Sequence, residues 1–371
     1  MLIGIPKEIK DEEYRVGLTP MSTRELIVQG HQVIVQKDAG KAIGFSNAAY
    51  TASGAEIVTT PQEIFERADM IVKVKEPQKS EYGFLREGQI LFTYLHLAAD
   101  LAQAEALVKS KCVAIAYETV TGPKGGLPLL TPMSQVAGRL SIQAGAHCLE
   151  KPAGGSGILL GGVPGVDPGK VVVVGGGVVG TNAARMAMGK EAIVTVLDKS
   201  LRRLQELDFQ FGGRLNTVFS TEASIEEHVI DADLVIGAVL IPGKAAPKLV
   251  THSMLKQMRP GSVIVDVAID QGGSIETSQP TSHSKPTFVL DDVVHYCVTN
   301  MPGAVPRTST LALNNATLPF VLDLANKGYR RALLDDAHLK NGLNVCVGHV
   351  THEGVANDLN MPYLSSEDFL Q

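Results

Sequence analysis

Short runs of β-branched and aliphatic residues alternate with stretches of helical spacing almost from one end of the chain to the other. In the first third, residues 2–6, 32–36, 70–74, 89–93 and 113–117 read as strands, with helical stretches at 21–29 and 101–109 between them. A second series begins near Lys170, with strand candidates at 171–174, 192–197, 216–219, 234–239, 262–267 and 287–290. Strand and helix in alternation imply parallel sheets covered on both faces. The pattern therefore predicts an α/β fold of two doubly wound, Rossmann-like lobes.

Two long helical segments separate the series. Thr131-Pro132 opens the first, with Thr131 as N-cap and proline at the first helical position, and it runs to about Glu150. The glycine-rich stretch 154–169 that follows reads as irregular. The second helical segment, 310–325, contains Pro319, which predicts a kink or a split there. The tail with GHVTHEGVA is expected to return to the first lobe. This gives one domain over 1–130 completed by 310–371 and another over 131–309. The two long helices would be hinges, and the cleft between the lobes the active site.

One strand end is distinctive. Val171 to Val174 runs straight into Gly175-Gly176-Gly177-Val178-Val179-Gly180, a GxGxxG between a strand and the helix expected at 178–188. The glycines let backbone N–H groups approach a pyrophosphate, and the helix N-terminus stabilises its charge. The next strand ends in Asp198, 18 residues after Gly180, where an acid can accept from ribose hydroxyls. The alternative is a glycine-rich turn in an unliganded domain, with Asp198 as a polar strand end. Ser220, Val239, Leu240 and the segment Val267-Ala268-Ile269-Asp270 are further strand ends that would line the same crevice.

Composition narrows the class. The 371 residues suffice for about two domains, and with 44% hydrophobic and 19% charged residues no long disordered tract is expected. The net charge of −6 with no basic block argues against a nucleic-acid partner. Charges arrive by Lys7, and the most apolar run, 171–180, is about half of the ~20 residues a span needs. A soluble, cytoplasmic protein with no membrane partner is expected. Cys112, Cys148, Cys297 and Cys346 form no CxxC pair and read as buried free thiols.

Three segments in the first third carry charge that periodicity does not explain: Lys7-Glu8 with Glu12-Glu13-Tyr14-Arg15, Lys73-Val74-Lys75-Glu76 before Pro77, and Thr93-Tyr94-Leu95-His96. Arginine can hold a carboxylate through two hydrogen bonds, lysine offers a point charge, and histidine moves protons near neutral pH. Each also has a plain structural reading: Arg15 as a solvated loop cation, Lys75 as protection of a sheet edge, His96 as a structural histidine. Taken alone, these residues reach only a nicotinamide-dependent enzyme with an anionic substrate.

On these residues, and on the stretches IGIPKEIK, EYRVGLTP, KVKEPQ, TYLHLA, LLTPMSQVAGR, GGVPGV, VVVVGGGVVGTNAA, VAIDQGG and NMPGAVPRTST, the chain resembles the bacterial alanine dehydrogenase family over essentially its whole length. The resemblance implies NAD-dependent interconversion of L-alanine with pyruvate and ammonium, and a homohexamer. It makes Arg15 and Lys75 ligands of the substrate carboxylate and carbonyl, and His96 and Asp270 the proton-handling residues. Tyr94 and Met133 would limit the substrate side chain. Ser134, Gly175, Gly177, Val178, Val179, Gly180, Asp198, Arg203, Ser220, Val239, Leu240, Val267, Ala268, Ile269, Asn300 and Met301 would surround NAD. Some members hold magnesium through an acid and a histidine four residues apart. Here those positions are Asp323 and Lys327, and lysine is no such ligand, so no metal is expected. Rivals are the NAD-binding subunit of a proton-pumping transhydrogenase, a saccharopine- or lysine-forming dehydrogenase, and a non-catalytic NAD sensor.

Overall fold

Runs of valine and isoleucine, stiff at χ1 and suited to pleated surfaces, build two separate sheets. The computed structural model describes residues 1–239 and 246–370. The chain divides into two units, Met1–Met133 with Val305–Gln371, and Ser134–Ala304.

The first unit contains β1 (Leu2–Ile5), β2 (Gln32–Gln36), β3 (Glu56–Val58), β4 (Met70–Val72), β5 (Ile90–Thr93) and β6 (Val113–Ala116). The second contains β7 (Lys170–Val174), β8 (Ile193–Asp198), β9 (Asn216–Phe219), β10 (Leu234–Gly237), β11 (Val263–Asp266), β12 (Thr287–Leu290) and β13 (Val293–Tyr296). β14 (Leu343–Cys346) and β15 (His349–Val350) then return to the first unit.

The first sheet has the order β15-β14-β6-β5-β4-β1-β2-β3, and the second β12-β13-β11-β10-β7-β8-β9. In both, the first strand pairs on one side with the second and on the other with the fourth, so winding reverses there. A doubly wound sheet binds ligands outside the carboxyl ends of its strands at that reversal. The reversal lies between β1 and β4 in one unit and between β7 and β10 in the other.

The expectation of all-parallel sheets is corrected at three strands. β14 runs antiparallel to β6, β15 to β14, and β12 to β13. The β12–β13 turn places Asp291 and Asp292 at φ 48° and 60°, the left-handed pair of a two-residue hairpin. β3, β13, β14 and β15 escape sequence reading, being short, mixed in polarity or placed directly after a turn.

The helix expected at 310–325 spans Pro306–Asp335, and Pro319 does not split it. The non-helical residue is Gly328, at φ 74° and ψ 159°, a conformation open to a residue without Cβ. The helix at Thr131–Cys148 begins with Thr131 itself. That hydroxyl donates to the Leu127 carbonyl, which corrects its expected role as N-cap.

Each sheet is packed on its own core. In the first, Ile64, Phe65, Leu91, Leu97, Leu107 and Val345 share one buried cluster. In the second, Val172, Val235 and Ile264 pack against Ile225, Met254 and Leu255. One charged cluster is also interior: fully buried Lys73 lies 3.1 Å from both Glu8 and Glu81. Removing one partner of such a group costs about 3–5 kcal/mol, because the remaining charge is left unpaired in the interior.

Candidate substrate and nucleotide sites

In the first unit, the polar and charged residues picked out by sequence, joined by Glu118, follow the carboxyl ends of neighbouring strands. Glu8, Glu13 and Arg15 follow β1, Lys73 and Lys75 follow β4, Tyr94 and His96 follow β5, and Glu118 follows β6. Because β4 lies between β1 and β5, Lys75 guards no sheet edge. Arg15 is 2% exposed and so is no solvated loop cation.

Acidic side chains fix these residues through the backbone. The Glu8 carboxylate accepts from Val74 N at 2.6 Å and Lys75 N at 3.3 Å, which sets the course of the chain at Lys75. Glu13 accepts from the Arg15 backbone N–H at 3.0 Å, from Nε at 2.7 Å and from a terminal guanidinium nitrogen at 2.5 Å. One edge of the Arg15 fork is therefore engaged by Glu13. A second terminal nitrogen meets the Met133 thioether at 3.1 Å. Burial works to raise the Glu13 carboxyl, but the bonds and charge of Arg15 outweigh it and hold it at about 2. Burial, with the like charges of Arg15 and Lys10, pushes the Lys75 ammonium below its ordinary range.

Tyr94 is buried, and its hydroxyl donates to the Leu129 carbonyl at 2.5 Å. Burial lifts its pKa, so the phenol stays protonated. Its ring stacks on that of His96, with centroids 5.8 Å apart and planes 8° from parallel. His96 itself is exposed and adopts φ 50°, ψ 39°.

In the second unit, the turn after β7 has the close packing its glycines suggest. A Cβ at Gly180 would lie 1.8 Å from the Gly175 carbonyl oxygen, and one at Gly175 2.9 Å from that of Ala238. At Gly177 a Cβ would meet nothing within 4 Å. That residue is the N-cap of the helix Val178–Gly189 and supplies no side-chain cap. An anion therefore has an open approach to the helix N-terminus.

Asp198 ends β8 and accepts from Gly176 N at 2.7 Å and Ser200 N at 2.8 Å. Arg203 donates from Nε to the Gly176 carbonyl at 2.7 Å and from a terminal nitrogen to the Thr181 hydroxyl at 2.5 Å. Ser220 follows β9 directly, and its backbone N–H donates to Asp198 O at 3.0 Å. Val239 follows β10, while Leu240 lies outside the described residues. Ser134 is half-buried on the first turns of Thr131–Cys148.

Val267, Ala268, Ile269 and Asp270 form a short 3₁₀ turn, Val267–Gln271, directly after β11. Buried Asp266 organises it, accepting from Ala268 N, Ser274 N, Ile275 N and the Ser274 and Ser278 hydroxyls. Asp270 is exposed, and both its oxygens lie 3.4 Å from Asn300 N. Asn300 adopts φ 58°, and Met301 is buried beside it.

Sequence reading did not assign roles to Glu8, Glu13, Glu118 or Asp266. The only signal was an acid within a few residues of a strand end, and that is too common to be diagnostic. All four cysteines are buried and free, and burial raises each thiol to about 11. Lys327 pairs with Asp323 at 2.7 Å and Asp335 at 3.2 Å. Among the described residues, no three metal-ligating side chains converge, and no helix is long and apolar enough to cross a membrane.

A glycine-rich nucleotide turn on one doubly wound unit, with arginine, lysine and histidine at the strand ends of another, defines a two-unit α/β oxidoreductase. The chain belongs to the alanine dehydrogenase/PNT family: residues 4–137 match its N-terminal domain and residues 141–353 its C-terminal domain. It is 58% identical over 370 residues to an alanine dehydrogenase of Halomonas elongata, covering the whole of both chains. It is 56% identical over 372 residues to alanine dehydrogenase 2 of Staphylococcus aureus strain USA300, again at full length of both. A solved L-alanine dehydrogenase superposes with a TM-score of 0.95 at 53% identity, over 97% of this chain and 99% of that one. A transhydrogenase from Sinorhizobium meliloti shares the fold, with a TM-score of 0.84 at 24% identity over 95% of this chain and 100% of that one.

Proposed function

We propose that the chain catalyses the NAD-dependent oxidative deamination of L-alanine to pyruvate and ammonia, and the reverse reductive amination. The observation that carries this reading is the gathering of Arg15, Lys75, Tyr94 and His96 at the carboxyl ends of β1, β4 and β5. Full-length likeness to proteins named alanine dehydrogenase supports it.

The residues fit NAD. Gly177 leaves open space at a helix N-terminus, and Asp198 puts a carboxylate where a 2′-phosphate would be repelled. Ser134, Gly175, Val178, Val179, Gly180, Arg203, Ser220, Val239, Leu240, Val267, Ala268, Ile269, Asn300 and Met301 would complete the cofactor contacts. Bound there, NAD would supply the hydride acceptor for oxidation at the substrate α-carbon.

The chain supplies the remaining functions. Arg15, held on one edge by Glu13, is the ligand of the substrate carboxylate. Lys75 reaches the carboxylate and the carbonyl oxygen of pyruvate. Burial, with the like charges of Arg15 and Lys10, depresses its pKa, and an incoming carboxylate favours its charged form. Tyr94 and Met133 restrict the side chain to a methyl group. The ammonium of alanine must lose a proton before its nitrogen can push electrons, and His96 is the group that takes it. Asp270 orders the water that attacks the oxidised carbon and stabilises positive charge there. No metal is invoked, and a cytoplasmic homo-oligomer, a hexamer, is the expected form.

The test is purified protein with L-alanine and NAD and no second nucleotide. NADH should form in step with pyruvate. Hydride exchange between two nucleotides without alanine oxidation would overturn the reading in favour of transhydrogenase-like chemistry.

A further inference from the structure

The peptide that carries His96 is held more firmly than a strand-end loop requires. Leu95 N lies 3.1 and 3.2 Å from the two Glu118 carboxylate oxygens, and His96 N lies 2.5 Å from Oε1. The Leu95 carbonyl accepts from the Gln103 amide at 3.1 Å. On the far side, Leu97 shares a buried cluster with Val355 and Ala356. Those two residues belong to the helix Glu353–Leu359, capped by the His352 ring.

His96 needs this support. Its left-handed conformation costs an L-residue on the order of 1 kcal/mol. Two successive N–H groups converging on one anion offset that cost, because a carboxylate strengthens both bonds. Glu118 accepts hydrogen bonds from these backbone amides, whereas the imidazole is exposed and stacked parallel to Tyr94. The carboxylate therefore fixes where the ring stands without exchanging its proton.

We infer that Glu118 is a positioning residue for His96, holding the Leu95–His96 amides so that the imidazole presents itself to substrate from the Tyr94 stack. The inference rests on the reading of His96 as a proton-handling group in L-alanine oxidation.

The experiment is a double-mutant cycle of Glu118→Gln and His96→Ala, with NADH titration and a chemical probe of the ring. Glu118→Gln should lower kcat by about ten-fold or more while NADH affinity and the KM for L-alanine stay within about three-fold. In the His96→Ala background the same substitution should change residual turnover by less than about two-fold, because it acts through a ring already absent. Glu118→Asp, which keeps the charge, should recover part of the loss, and it carries the same cycle if the glutamine variant does not fold.

Independently of activity, diethyl pyrocarbonate should modify His96 at least about three-fold faster in Glu118→Gln, as the loosened turn unstacks the ring from Tyr94. His147, whose side chain is 72% exposed, should be modified at an unchanged rate and serves as the internal control. Equal losses in both backgrounds, or an unchanged His96 modification rate, would overturn the inference. A wild-type protein that forms no NADH from L-alanine, yet shows the His96 rate change, would sink the functional reading and leave the positioning role standing.

Discussion

The Asp198 carboxylate spans the Gly176 amide at 2.7 Å and the Ser200 amide at 2.8 Å, so the acid at the end of one strand fixes the glycine turn of another. Asp198→Ala removes a repulsive charge near the ribose and also releases Gly176. NADH affinity should fall by about ten-fold or more, and the preference for NAD over NADP should narrow by about 1–3 kcal/mol. Fluorescence titration with both nucleotides measures this. Equal use of NAD and NADP by the wild type would show that the acid does not select.

Arg15 is paired before substrate arrives, and that sharpens what replacing it should do. Arg15→Lys keeps a positive charge but loses the two-point bond to Glu13 and the planar fork. The KM for L-alanine should rise at least about ten-fold, with NADH affinity within about two-fold. A variant that loses NADH and keeps alanine would show that the two units have been given each other's roles.

His96 and Asp270 are both exposed and belong to different units. His96→Ala and Asp270→Ala should each lower turnover by at least about 100-fold, the usual scale for a general acid–base group. NADH titration alongside turnover separates chemistry from binding. Near-wild-type oxidation in both variants would leave the family fold without its chemistry.

Acid should destabilise the first unit through Glu13. Its carboxyl sits at about 2 in the fold against an ordinary 4.5, so the folded state favours the ionised form. That contribution is complete above about pH 4.5, falls as pH drops toward about 2, and amounts to at most about 3 kcal/mol. Urea unfolding at stepped pH across that window should show the loss, and Glu13→Gln should flatten it. A wild-type stability curve level across the window would mean that Arg15 does not depress this carboxyl.

Much of this was legible in the sequence. Strands at 216–219 and 287–290 match residue for residue, because a β-branched run bounded by turn residues leaves few alternatives. The glycine turn and Asp198 were legible because their spacing reflects a geometric need. Glu8, Glu118 and Asp266 were not, since they act on backbone N–H groups, in neighbouring strand ends for Glu8 and Glu118 and in its own following loop for Asp266, and amides carry no residue-type signature. Pro319 does not split the helix, because helix breaking depends on context. The break falls nine residues on, at Gly328. β14 was missed because its partner β6 lies more than 200 residues earlier.

That last pairing bears on how the protein is made. Synthesis proceeds from the N-terminus, so β6 emerges and waits as a bare sheet edge while all of Ser134–Ala304 is translated. The interrupted unit cannot close until Leu343–Cys346 leaves the ribosome, whereas the inserted unit, contiguous in sequence, has every one of its strands before then. Nascent chains stalled before residue 343 should therefore be protease-resistant over the insert and vulnerable around 113–116, where a chaperone or a second unfinished chain would find an open edge to pair with.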